Sequence, residues 1–151
     1  MKLSLQSDFA LRVLMHAAVR GNVRTTVDEV ASAHGISRNH LVKVVHRLGK
    51  AGYLHTQKGS GGGFTLAREP GRINVGEVVR LGESDDRVID CQHRGVSCRL
   101  RPSCNLKRVL DEAADMFFRV LERYTLEDLI SGKSEQFRTI LGDSDDSDAV
   151  N

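Results

Sequence analysis

Apolar residues in the first third of the chain recur at intervals that belong to short helices. Leu11, Leu14, Met15 and Ala18 fall at i, i+3, i+4 and i+7, which is one helical face. Ser7 suits the N-cap of that helix, with Asp8 in its first turn, and Gly21 and Asn22 end it. Thr26 opens a second helix with Glu29 three residues on, the spacing of a capping box, and Val27, Val30 and Ala31 supply its buried side. Gly35 allows a sharp turn over Ile36, and Ser37 can cap a third helix with the inner stripe Leu41, Val44, Val45 and Leu48. The outer positions of that third helix are Arg38, Asn39, His40, Lys43, His46 and Arg47. Two short helices joined by a Gly-containing turn, the second apolar inside and basic outside, follow the pattern of a helix-turn-helix.

The pattern then changes to that of a hairpin. Tyr53, Leu54, His55 and Thr56 lead into the turn Lys58, Gly59, Ser60, Gly61, Gly62, Gly63, and Phe64, Thr65 and Leu66 return from it. Glycine supplies positive φ in such a turn and lets backbone amides approach a phosphate closely. A nucleotide-binding P-loop is excluded, because no Lys-Ser/Thr follows and the next element is a strand; the dinucleotide fingerprint fails for the same reason. The hairpin is the wing of a winged helix. A short helix follows near Asn74 to Leu81. Pro102 and Ser103 signal another start, beyond which Leu106, Leu110, Ala113, Phe117, Val120 and Tyr124 step by 4, 3, 4, 3 and 4 residues. That heptad seam predicts a long helix pairing with its copy in a homodimer. Thr125 to Ile130 adds a last helical turn or two.

The fold class predicted is therefore mainly α with a small β-hairpin wing. Residues 1–82 form a winged helix-turn-helix DNA-binding domain and 83–104 a cysteine-bearing loop. Residues 105–131 hold the dimerisation helix and a short terminal helix, and 132–151 an acidic disordered tail rich in Asp and Ser.

Charge sharpens this picture. The formal net charge is only +2. Residues 1–80 nevertheless carry twelve Lys/Arg against five Asp/Glu, and residues 81–151 ten against fifteen. No acidic residue stands between Val30 and Arg68, a window holding Arg38, Lys43, Arg47, Lys50, Lys58 and Arg68. A basic N-terminal half with an acid-free centre is the electrostatic footprint of phosphate binding. No nucleophile–base arrangement or catalytic carboxylate pair can be picked out, so an enzyme is not expected. The chain has no secretory h-region and no apolar run long enough to cross a membrane, and three cysteines make no disulfide framework. A reducing cytoplasm is the expected compartment, without a membrane partner.

The three cysteines, Cys91, Cys98 and Cys104, are spaced C-x6-C-x5-C, one thiolate short of a full soft-metal set. Zinc sites usually show paired C-x2-C knuckles, and none is present. The longer arcs suit a loop draped over a larger cluster. Arg87, Arg94, Arg99 and Arg101 favour thiolates by charge, and Cys104 falls where a helix N-terminus would do the same. Three unliganded structural cysteines are the plain alternative. For a fourth ligand the residues offer His93 within the loop, Asp90 beside Cys91, and Asp8 far off in the first helix; solvation of the loop or of the helix dipole accounts equally well for each.

Met1-Lys2-Leu3 with Asp8-Phe9-Ala10-Leu11-Arg12, the stretch Ser37-Arg38-Asn39-His40-Leu41, the glycine-rich wing and the three-cysteine loop together resemble the iron–sulfur winged-helix transcriptional repressors over residues 1 to about 131. IscR-type members are expected to place a histidine three residues after the last cysteine, where this chain has Lys107. NsrR-type nitric-oxide-sensing repressors are more similar. That resemblance implies an iron–sulfur cluster, 4Fe–4S with 2Fe–2S as the alternative, held by Cys91, Cys98 and Cys104 of one subunit and Asp8 of the partner. It also implies a dimeric repressor of a palindromic operator in double-stranded DNA that loses its grip when nitric oxide nitrosylates the cluster. On DNA, Ser37 and Asn39 are expected at backbone or base edges, and Arg38, His40, Lys43 and Arg47 at bases or phosphates. The wing from Lys58 through Gly61 and Gly62 is expected in a neighbouring minor groove. Three alternatives remain open: an IscR-like cluster-status regulator that binds DNA with and without its cluster, a zinc- or thiol-based redox repressor, and an electron-transfer or cluster-carrier protein.

Overall fold

In a computed structural model the described residues are 2–59, 61–83, 98 and 103–141. The elements run α1 (Leu5–Arg20), α2 (Val27–His34), α3 (Arg38–Lys50), β1 (Leu54–Gln57), β2 (Gly63–Leu66), a 3-10 turn (Pro70–Arg72), α4 (Val75–Gly82), α5 (Asn105–Leu121), α6 (Leu126–Ile130) and α7 (Ser134–Leu141). Cys91, Asp90, His93, the loop arginines, Pro102 and the acidic residues beyond Gly142 lie outside the described residues.

Helix α1 begins one turn earlier than Ser7. Ser4 is its N-cap, its hydroxyl accepting from the Ser7 amide at 3.2 Å. Ser7 is fully buried instead, because its hydroxyl serves a tertiary bond to α4. Besides Ser7, α1 buries Ala10, Val13, Leu14, His16, Ala17 and Val19, with Leu11, Met15 and Ala18 only partly covered. A single stripe does not suffice here, since α1 is the central strut and packs against α2, α3, α4, α6, α7 and β2.

The helix-turn-helix forms as its sequence grammar requires. Thr26 and Glu29 make the reciprocal capping box, Gly35 closes α2 at φ +63°, and Leu41, Val44, Val45 and Leu48 are buried on α3. Ser37 occupies the N-cap position of α3 without a side-chain capping bond. Strands β1 and β2 pair antiparallel in the register Leu54–Leu66 to Gln57–Gly63. Thr25, just before α2, adds a one-residue bridge to Phe64, with N···O distances of 2.9 and 2.8 Å. Phe64 is 1% exposed. Burying a side chain of that size contributes about 1.5–3 kcal/mol, so the wing root is part of the main core.

Helix α5 docks through Ala114 and Phe118, the latter in a small second core with Val75 and Val79 of α4. Arg80 of α4 lies over the Phe118 ring at 4.0 Å and bonds Glu122. Of the expected seam, Leu106, Ala113, Val120 and Tyr124 are exposed on this chain. Leu110 and Phe117 turn partly inward. The outer stripe is Leu106, Val109, Ala113, Met116 and Val120, spaced 3, 4, 3 and 4 residues and exposed on this chain. Helix α6 returns to the DNA-binding domain: Leu126 joins the main core, and its amide bonds Ile73 O at 2.8 Å. The expected disordered tail from residue 132 is corrected over Ser134–Leu141, which is helical and lies against α1 and α2 with Phe137 and Leu141 partly covered; residues 142–151 lie outside the described residues.

Candidate nucleic-acid interface and cysteine ligands

The outer face of α3 is exposed from Ser37 to His40 and again at Lys43, His46 and Arg47. Its basic residues are not equivalent. Arg38 Nε donates to Asp28 of α2 at 2.8 Å, with both side chains more than half exposed. A pair that solvated contributes about 0–1 kcal/mol, little enough for a phosphate to displace it. His40 is drawn toward α1, its ring centroid 6.2 Å from that of Phe9. Lys43 and Arg47 have no ion-pair partner among the described residues. Arg68 turns away from the interface: it donates to the carbonyls of Gly52 and Ala51, just past the end of α3, and stacks on Tyr53 at 4.6 Å. In the wing, Lys58, Gly59 and Gly61 are exposed, and Gly59 and Gly61 adopt φ of +100° and +73°. A side chain at those angles would be strained.

The candidate metal ligands among the described residues lie on three segments: Asp8 in the first turn of α1, Cys98, and Cys104 at the start of α5. Cys104 is the N-cap of α5, and its sulfur accepts from the Lys107 amide at 3.5 Å. The half-buried sulfur therefore meets a backbone N–H at the start of a 17-residue helix. Cys98 is exposed, and neither it nor Cys104 is in a disulfide. Lys107, where a histidine ligand was considered, pairs with Asp111. Asp8 is about two-fifths exposed and accepts from Arg12 Nε at 2.9 Å. His34, at the end of α2, faces this pair. Burial and the Arg12 charge hold its pKa below the usual value, while Asp8 acts in the opposite direction. Among the described residues no three His, Cys, Asp or Glu side chains gather into a metal site.

Two further residues join these regions and carried no signal in the sequence. Glu83, the last described residue before the cysteine loop, accepts from the Ser7 hydroxyl at 2.6 Å and from the Ser4 amide at 2.9 Å. Burial alone would raise its carboxyl; the bonds from Ser7 and Ser4 outweigh that and hold it below the ordinary range. Gly82 leaves room for this contact, since a Cβ there would come within 2.6 Å of Ser7 Cα. The second residue is Arg24, which bonds the wing tip. Pairings this distant in sequence leave no periodic trace.

A helix-turn-helix with an exposed basic recognition helix and a glycine wing defines a winged-helix transcriptional regulator. The comparisons narrow this further. Residues 3–132 match the family profile described as Rrf2, iron-dependent transcriptional regulator, and the chain belongs to that family. It is 42% identical to the HTH-type transcriptional regulator NsrR of Bacillus subtilis (strain 168) over 137 residues, 89% of this chain and 94% of that protein. It is 41% identical to the NsrR regulator of Shouchella clausii (strain KSM-K16) over 92% of this chain and 98% of that protein. Among solved structures, the oxidized form of Staphylococcus aureus CymR shares the fold with a TM-score of 0.70 at 21% identity, covering 87% of this chain and 97% of that one. T. potens IscR does so with a TM-score of 0.69 at 24% identity, covering 90% of each chain. The protein is a transcriptional regulator of DNA-binding type, not an enzyme. No described helix is long and apolar enough to cross a membrane.

Proposed function

We propose that the protein is a homodimeric repressor that senses nitric oxide through an iron–sulfur cluster and then releases a palindromic operator. The cysteine arrangement fits such a group. Cys104 is a free, half-buried cysteine at the N-cap of α5, its sulfur against the Lys107 amide, and Cys98 is a free, exposed one, so both can offer soft sulfur ligands. Cys91, Cys98 and Cys104 would hold the cluster, with Asp8 of the partner subunit as the fourth ligand; 4Fe–4S is the proposed type. When bound, the cluster supplies iron able to react with nitric oxide, most readily at the position held by the harder, more exchangeable carboxylate.

The observation that carries the reading is the place of Asp8 in the fold. It precedes Phe9, whose ring lies against His40 at the start of the recognition helix. Its turn of α1 is also fastened by Ser7 and Ser4 to Glu83, the root of the cysteine loop. One helical turn thus adjoins both Glu83, where the loop begins, and the start of the third helix. The outer stripe of α5, Leu106, Val109, Ala113, Met116 and Val120, would be covered by the same stripe of a second copy. On DNA, Asn39, Lys43 and Arg47 would enter or flank the major groove, with Ser37, Arg38 and His40 beside them. Lys58, Gly61 and Gly62 would follow the minor groove. Such a regulator works in the cytoplasm with the DNA it reads.

The test is Asp8→Ala in protein purified without oxygen, followed by iron and sulfide content, operator affinity and the response to nitric oxide. Reduced iron retention and a lost response are expected. Full iron content with unchanged affinity and response would remove Asp8 as a ligand. A zinc adduct in native mass spectrometry of the wild type would overturn the cluster itself.

A further inference from the structure

Arg24 belongs to neither the recognition helix nor the wing, yet it reaches the wing from both ends. Its Nη1 donates to Gly61 O at 2.6 Å. The stem of the same side chain lies along Gly63, where a Cβ would come within 2.8 Å of Arg24 Cγ. The next residue, Thr25, fixes the wing root through its two backbone bonds to Phe64. Gly59 and Gly61 of the tip sit at positive φ, and among the described residues one backbone turn bond, Gly62 N to Gly59 O at 2.9 Å, closes it. Glycine loses more conformational freedom on ordering than any other residue. Among the described residues Arg24 is the only side chain hydrogen-bonded to the tip. On the flank of the hairpin a groove of about 330 Å³ opens between Arg24 and His55, Thr56, Gln57 and Thr65, so packing does not replace the bond there.

We propose that Arg24 is the positioning residue of the wing: by bonding Gly61 it selects the wing conformation that fits operator DNA, and so sets the preference for operator over other sequences. The planar guanidinium suits this role because its donors form a rigid fork that a lysine lacks. The proposal rests on the wing being a DNA contact, and the experiment separates the two.

The probes are a duplex selected from a random pool by the wild-type full-length protein and a scrambled duplex of equal composition. Arg24→Ala and Arg24→Lys are measured on both across a salt series, together with the rate of tryptic cleavage after Lys58. Each variant is first checked for wild-type thermal unfolding. For Arg24→Ala, loss of preorganisation predicts about tenfold weaker binding to the selected duplex, less than about twofold on the scrambled one, and cleavage about tenfold faster. Arg24→Lys should keep the salt dependence while remaining poorly selective. Equal losses on both duplexes with unchanged cleavage, or full rescue by lysine, would make Arg24 a simple charge and overturn the proposal. A Lys58→Ala control that binds the selected duplex as well as wild type would instead sink the wing reading, whatever Arg24 does.

Discussion

The hydroxyl of Ser7 donates to the carboxylate of Glu83 at 2.6 Å, across 76 residues of chain. It ties the turn that carries Asp8 to the point where the cysteine loop leaves the fold. A hydrogen bond to a charged group is worth about 1.5–3 kcal/mol, so Glu83→Gln, which keeps shape and loses charge, should cost about 1–2 kcal/mol. The pH dependence has a definite sign. The Glu83 carboxyl is held below its ordinary value of 4.5, so its contribution is present above that pH and is lost as pH falls through the lower folded value. Denaturant unfolding of both proteins from neutral pH down to about pH 2.5 should show a difference that is constant above about pH 5 and shrinks as pH falls below the ordinary carboxyl value. A difference that persists undiminished into acid would mean the charge is not the cause.

The exposed stripe of α5 predicts the assembly. Met116 is about half exposed and lies mid-stripe. Met116→Glu would place two like charges against each other at a two-fold contact, while leaving the buried Ala114 and Phe118 face untouched. Sedimentation should then find a folded monomer whose operator affinity has dropped by well over tenfold, since each half-site must bind alone. Continued dimerisation at wild-type strength would move the interface elsewhere.

Much of this fold was legible in the sequence, and the residues say why. Thr26, Glu29 and Gly35 act through neighbours three to eight residues away, so the helix-turn-helix announces itself locally. The wing does so through its glycines. The α5 seam was legible only as a periodicity, because apolar letters cannot say which edge of a helix is taken up by α4. Leu110 and Phe117 look as suitable for a partner as Val109 and Met116 until Phe118 is seen to dock. Ser4 and Ser7 are equally good capping residues on paper, and only the distant Glu83 decides between them. The cysteines were legible as a group from spacing. The proposed role of Asp8 comes from the resemblance and not from the residues alone, because nothing local distinguishes it from any acid in a first helical turn.

The recognition face invites a comparison of two variants. Asn39→Ala, removing a potential base reader, should cost about 1–3 kcal/mol on the operator and relax preference at one base pair. Lys43→Ala, removing a charge with no ion-pair partner among the described residues, should weaken every sequence alike and lower the salt slope by about one. Competition binding on a panel of single-base operator variants distinguishes them. A uniform loss from Asn39→Ala would demote it to a backbone contact.

Thr26 tests how far the reading unit depends on one cap. Thr26→Ala removes half of the capping box with Glu29 and should cost about 0.5–2 kcal/mol. Amide exchange in α2 should accelerate before that in α3. Unchanged exchange would show that tertiary packing of Val30 alone holds the helix.

Thr25 hydrogen-bonds Phe64 through both its amide and its carbonyl, and so staples the connection after α1 to the wing. The helices and the hairpin are thereby cast as one block, which resists being reshaped piece by piece. A push delivered at one end can swing such a block but not bend it. In the proposed dimer, the adjustable quantity would be the gap between two such blocks. DNA, with successive half-sites about 34–36 Å apart, acts as the ruler against which that gap is judged.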